Sequence, residues 1–129
     1  MFPILLISIL LSPFSLSVQE YRVAEVTMRK HVKSVVMPTF PQDAEKRGAK
    51  GPVVMQVDVD VDGNVVKTET LQSPDASVSE AVTSAVTRWK FEPFRLASGT
   101  PIGVQGKLTF YCVLDAHGKG RVENPKQFK

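Results

Sequence analysis

Cysteine is almost missing from this sequence. Cys112 is the single cysteine among 129 residues, so the chain cannot form an internal disulfide and must be held together by its apolar core. Because Cys112 falls within an alternating apolar run, its position favours a small buried core residue over a reactive thiol.

Patterns for catalysis and for nucleic-acid binding are also missing. Neither His31 nor His117 has a Cys, a Glu or a second His at a metal-ligand spacing, and no serine lies in a G-x-S-x-G motif. The net charge is +3, but the Lys and Arg residues are scattered and no basic run is interleaved with aromatics. We therefore predict no enzyme activity, no cofactor and no nucleic-acid partner.

Charge is absent from residues 1–17, which carry an apolar run from Phe2 to Leu11 followed by small residues. The run is about half of the ~20 residues that a bilayer-spanning helix needs, and it suits the core of an export signal. We expect cleavage after Ser17. No Lys or Arg precedes the apolar run, so an uncleaved short anchor is the alternative.

The strongest element signal lies between Ser77 and Pro93. Its apolar residues recur at helical spacing and form one stripe. They are Val78, Ala81, Val82, Ala85, Val86 and Trp89. Ser77 and Glu80 match a capping box that starts the helix, and Pro93 prevents its continuation. A shorter helix is predicted to begin at Pro41 and to end near Gly48.

Three segments have the alternation of strands. Apolar residues from Val53 to Val61 alternate with mostly polar ones, Asp62 and Gly63 predict a hairpin turn, and the chain returns from Val65 to Leu71. A last strand is predicted from Leu108 to Leu114.

The first hairpin also contains a calcium-like pattern. Its spacing, D-x-D-x-D-G-x5-E, is that of an EF-hand loop. The matching residues are Asp58, Asp60, Asp62, Gly63 and Glu69. An EF-hand needs a helix before the loop, whereas a strand precedes this one, so we predict no metal site.

These elements predict an α+β fold in which two helices pack on a small three-stranded antiparallel sheet. We divide the chain into an export signal or short anchor at 1–17, an N-terminal arm at 18–37, a folded domain at 38–115 and a flexible tail at 116–129.

The order of elements and the residues at their joints resemble the C-terminal domain of the TonB family, from Pro38 to about Leu114. The opening matches P-x-[YF]-P-x-x-A with trailing glycines, the hairpin matches D-G-x-V, and the long helix matches A-x-x-x-A-V-x-x-W-x-F-x-P. The matching residues are Pro38, Phe40, Pro41, Ala44, Gly48, Gly51, Asp62, Gly63, Val65, Ala81, Ala85, Val86, Trp89, Phe91 and Pro93.

The resemblance implies a periplasmic domain that accepts a short extended peptide of an outer-membrane transporter beside its last strand, by β-strand addition. Thr109, Tyr111 and Val113, opposite the apolar face, are then expected to help select the guest. The partner-binding residues that the resemblance implies are Leu108, Thr109, Phe110, Tyr111, Cys112 and Val113 on the strand, with Pro38, Phe40 and Pro41 as a second contact region.

The sequence departs from a full TonB protein ahead of this domain. Residues 18–37 are not proline-rich and reach at most ~70 Å when fully extended, and the leader has no ionisable group on which a proton current could act. We expect a free or shortly tethered binding module. The alternatives are a shortened energy transducer, anchored in the inner membrane with a motor complex if the leader is retained, and a structural homodimer joined through the same edge strand.

Overall fold

The computed structural model describes residues 21–125, and within that range the chain forms three helices and nine strands. In chain order they are β1 (Tyr21–Arg22), α1 (Glu25–Lys30), β2 (Val32–Ser34), α2 (Gln42–Lys46), β3 (Gly51–Val59), β4 (Val65–Gln72), α3 (Ala76–Val86), β5 (Lys90–Phe91), β6 (Phe94–Arg95), β7 (Pro101–Ile102), β8 (Val104–Leu114) and β9 (Gly120–Glu123).

The main sheet has five strands, in the order β1-β8-β3-β4 with β9 also paired to β8. Strand β3 is antiparallel to both β4 and β8, while β1 runs parallel to β8. The α+β class is therefore as predicted, but the expectation of three strands and two helices is wrong. The predicted strands are β3, β4 and β8, and the additional sheet strands come from the segments expected to be an arm and a tail.

The core lies between the sheet and the helices. Alternate side chains of β3 are fully or almost fully buried, at Val53, Met55, Val57 and Val59. They meet the buried alternate positions of β8 and the apolar stripe of α3, as the two periodicities predict. Trp89 is fully buried at the end of this stripe, with its ring edge toward Phe110 at a centroid distance of 5.6 Å.

The start of α3 differs from the prediction. The N-cap is Asp75, whose carboxylate accepts hydrogen bonds from the Ser77 backbone N–H at 2.9 Å and from the Ser77 hydroxyl at 2.6 Å. Ser77 therefore lies inside the helix and does not cap it. An aspartate is as good a cap as a serine, and Arg47 further fixes this one in place with an ion pair of 2.7 Å.

The predicted hairpin between β3 and β4 is confirmed. Asp60 Oδ1 accepts hydrogen bonds from the N–H groups of Asp62 and Asn64, and Gly63 has a φ of +87°. A strand precedes this turn, and Glu69 lies on β4, opposite Gln56 of β3. The aspartates of the calcium-like pattern thus belong to a strand face and a hairpin.

The arm at 18–37 is structured from Tyr21 onward. It contributes β1, α1 and β2, and Trp89 Nε1 donates a hydrogen bond of 2.9 Å to the Val36 carbonyl. The predicted export signal at 1–17 lies outside the described residues. Within residues 21–125, no helix is both long enough and apolar enough to span a membrane.

Candidate functional site

Strand β8 is the longest strand that the structure describes, and only its inner side is fully paired. Its residues from Val104 to Cys112 lie opposite β3 in an unbroken antiparallel register. This pairing holds β8 firmly in the sheet and leaves its outer side to shorter partners.

The side chains of β8 point alternately into the core and away from it. Three of the predicted partner-binding residues, Leu108, Phe110 and Cys112, are buried in the core and can offer a guest only their backbone. Burial also raises the pKa of the Cys112 thiol. Thr109, Tyr111 and Val113 lie on the opposite face, where the Tyr111 side chain is the most accessible at 46% exposure.

The outer edge of β8 is covered within the same chain, so the expectation of an open edge from Leu108 to Leu114 is wrong. Tyr21 and Arg22 of β1 pair with Val104 and Gln105. The C-terminal strand β9 pairs with β8 from Tyr111 to Leu114. Both covers are short, and among the residues that the structure describes no strand neighbours the middle of the edge.

The cover β9 lies in the segment predicted to be a loose tail, which is wrong for Gly120–Glu123. The turn that leads into it repeats the turn between β3 and β4. Asp115 Oδ1 accepts hydrogen bonds from the N–H groups of His117 and Lys119, as Asp60 does in the first hairpin. The shared D-x-x-G spacing, at Asp60–Gly63 and again at Asp115–Gly118, is the sequence signal that would have predicted this hairpin.

The second predicted contact region approaches the same edge at Phe40. A Cβ atom built on Gly120 would lie only 2.4 Å from the Phe40 ring, so this ring packs directly on β9. Glu45 of α2 accepts a hydrogen bond of 3.2 Å from the Gly120 N–H. Pro38 is half-buried in the connecting segment, and Pro41 is the N-cap of α2.

Helix α1 supplies two edge residues that the sequence analysis missed. Met28 is fully buried directly over Gly106, where any Cβ atom would clash with it, and this contact holds α1 against β8. From there Glu25 and Arg29 reach the backbone of Thr109. Their four-residue spacing predicts an ion pair on a helix, but no local pattern predicts its target on a distant strand.

Exposed apolar side chains lie beside the end of β8, at Tyr111 and Met37. Within residues 21–125, no group of three or more His, Cys, Asp or Glu side chains is placed to hold a metal ion. The region next to Tyr111 is a cleft also lined by Met37, Val122 and Glu123. Exposed apolar side chains beside a sheet edge suit an extended peptide.

The fold and this edge define a class: an α+β domain with helices on one face of an antiparallel sheet and a long strand near its edge. A family model described as the Gram-negative bacterial TonB protein C-terminal matches residues 36–114. The chain therefore belongs to the TonB C-terminal family, as its motifs predict.

Two relatives illustrate the match. Protein TonB of Vibrio cholerae serotype O1 is 32% identical over 72 residues, which are 55% of this chain and 29% of that protein. The chain thus spans less than a third of that curated relative. The solution NMR structure of the Pseudomonas aeruginosa TonB CTD matches with a TM-score of 0.51 and 27% identity, over 62% of this chain and 81% of that one.

Proposed function

We propose that the protein is a periplasmic binding module that accepts an extended peptide of an outer-membrane transport protein as an added strand on the outer edge of β8, without catalysis. The observation that carries this proposal is the unequal pairing of β8. Within residues 21–125, its inner side is bonded to β3 along Val104–Cys112, while its outer side is covered by the short strands β1 and β9.

The proposal requires β9 to leave when the guest arrives. Strand β9 has four residues and pairs with β8 alone, so a longer guest strand can replace its hydrogen bonds and add others. The inner pairing with β3 stays intact during this exchange. The domain can therefore accept the guest without unfolding its core.

Specificity would come from side chains that a guest strand lies beside. Thr109, Tyr111 and Val113 share the face of β8 that points away from the helices. Tyr111 and Met37, both about half exposed, border the cleft at the end of β9 and offer apolar contact to a guest side chain.

A single proline substitution on the outer edge of β8 tests this function. The backbone N–H and C=O of Thr109 point away from β3, and those of Tyr111, two residues further on, point the same way. Tyr111→Pro removes an N–H from the outer edge while leaving the hydrogen bonds to β3 in place. Tyr111→Thr is the matched control, because it changes the side chain and keeps the N–H.

The measurement is capture of proteins from a Gram-negative outer-membrane extract, followed by mass spectrometry. We expect the parent protein to recover outer-membrane transport proteins, Tyr111→Thr to recover fewer of them because it loses the apolar ring, and Tyr111→Pro to lose most of this recovery. Equal recovery by Tyr111→Pro, or recovery of no such protein by the parent, would refute strand addition at this edge.

A further inference from the structure

At Thr109, in the middle of the outer edge of β8, side chains satisfy the backbone N–H and carbonyl in place of a strand. Thr109 lies between Gln105, which faces β1, and Tyr111, which faces β9. Its N–H donates to Glu25 Oε1, and its carbonyl accepts a hydrogen bond of 2.7 Å from Arg29 Nη2. A neighbouring strand would supply one acceptor and one donor at this position, which are the groups that the two side chains provide.

The two side chains hold each other in place. Arg29 donates to Glu25 Oε1 from Nε at 3.2 Å and from Nη2 at 3.0 Å, and the Thr109 hydroxyl donates to Glu25 Oε2 at 3.0 Å. The Arg29 side chain is only 9% exposed and its guanidinium lies 5.8 Å from the centre of the Phe110 ring. The pair is therefore an ordered part of the edge, unlike a mobile surface ion pair.

Arg29 also binds the chain that follows β9. Its Nη1 donates to the Asn124 side-chain oxygen and to the Pro125 carbonyl, the latter at 3.3 Å. One guanidinium thus connects α1, β8 and the C-terminal segment. If that segment leaves, a largely buried cation loses two acceptors, which destabilises the remaining contacts of Arg29.

We infer that Glu25 and Arg29 form a latch that closes the centre of the β8 edge and couples the N-terminal helix α1 to the C-terminal strand β9. The inference rests on the proposed function, because it regulates the same edge. A guest strand that pairs with Thr109 must displace both side chains. Displacing Arg29 also removes two hydrogen bonds that hold the chain after β9, so the latch and β9 open together.

Amide hydrogen exchange of the full chain, followed by NMR, tests the latch without any guest. The test variant is Arg29→Gln, and the matched control is Arg121→Gln, which removes an arginine from the exposed Arg121–Glu123 pair on β9. We expect Arg29→Gln to raise the exchange rates of Thr109 and of the β9 amide of Glu123 by about tenfold or more. The control should leave the Thr109 rate unchanged.

Each result decides the inference. Faster exchange at both Thr109 and Glu123 in Arg29→Gln supports the latch, whereas an unchanged rate at either amide overturns the coupling. An equal rise at Thr109 in the control overturns the special role of Arg29. If Arg29→Gln does not fold, Glu25→Ala takes its place, since it removes the acceptor of the Thr109 N–H and a partner of Arg29. An unchanged rate at Thr109 or at Glu123 then refutes the latch.

The exchange result is independent of the capture experiment. Faster exchange with no recovery of transport proteins would leave the latch standing and remove the proposed function. Recovery of those proteins with unchanged exchange rates would support the proposed function and remove the latch.

Discussion

Gly63 shows how one residue serves two purposes. Its φ of +87° closes the hairpin between β3 and β4, and its carbonyl accepts a hydrogen bond of 2.9 Å from the Phe91 N–H. A Cβ atom at this position would lie 1.9 Å from the Phe91 carbonyl oxygen. Conformation and close approach both require glycine here, so the D-G of the family motif joins the hairpin to the segment after α3.

Replacing this glycine should therefore cost more than an ordinary turn substitution. We expect Gly63→Ala to lower the free energy of unfolding by about 3 kcal/mol or more, because backbone must move as well as adopt a strained φ. Gly99→Ala is the control, since Gly99 has a φ of +88° but nothing lies within 4 Å of its added Cβ. Urea unfolding should give about 1–2 kcal/mol for the control, and equal losses would contradict the close approach.

Cys112 should be inert in the folded protein. Its side chain is buried and burial raises the pKa of its thiol, so little thiolate is available to react. We expect alkylation by iodoacetamide at pH 8 to be at least about a hundredfold slower in the native protein than in guanidinium-unfolded protein. Comparable rates, followed by mass spectrometry, would show that the thiol is accessible.

The first turn of α3 is stabilised by charge. The Asp75 carboxylate accepts hydrogen bonds from Arg47 and from Ser77. These bonds, that from Arg47 most of all, hold the pKa of this carboxyl well below its ordinary value of 3.8. The folded state therefore binds this proton less tightly than the unfolded state. The resulting stability is present above the unfolded pKa and is lost as the pH falls toward the folded pKa.

Asp75→Asn should test this charge separately from the cap, because asparagine is also a good N-cap. We expect the variant to have a lower melting temperature than the parent at pH 7, and the difference to shrink as the pH falls below 3.8. Asp62→Asn makes the same change of charge in the exposed hairpin and serves as the control. A difference in melting temperature that stays constant from pH 7 to pH 2 would show that the charge of Asp75 does not contribute to stability.

Long elements were predictable from their periodicity, whereas short ones were predictable only where turn or capping residues mark them. The alternation of β3 and the stripe of α3 each determine which face is buried, because many residues repeat one period. The two-residue β1 and the four-residue β9 are too short to show a period and form because β8 offers them an edge. The site was thus only partly predictable: β8 was identified, but its covers depend on tertiary contacts such as that between Glu25 and Thr109.

Across the whole molecule, stability is expected to fall from the centre of the sheet to its outer strands. β3 has a partner on each side and four core side chains between Val53 and Val59. β9 pairs on one side and buries only Val122, at 7% exposure. The helices cover one face of the sheet, so the outer strands gain little protection from a second layer. This arrangement allows an edge to open while the core remains folded.

Native-state hydrogen exchange at increasing urea should reveal this gradient. We expect the β3 amides of Met55 and Val57 to exchange only through global unfolding, since each residue is paired with both β4 and β8 and has a buried side chain. The β9 amides of Arg121 and Glu123 should exchange through a local opening that is at least about tenfold more frequent and nearly independent of urea. Gln56 of β3 is the control that separates strand pairing from side-chain burial. It is paired with both β4 and β8, but its side chain is not in the core. If β9 and β3 amides exchange with the same free energy and the same urea dependence, β9 opens only when the whole domain unfolds, and the edge of β8 is closed to guests in the folded state.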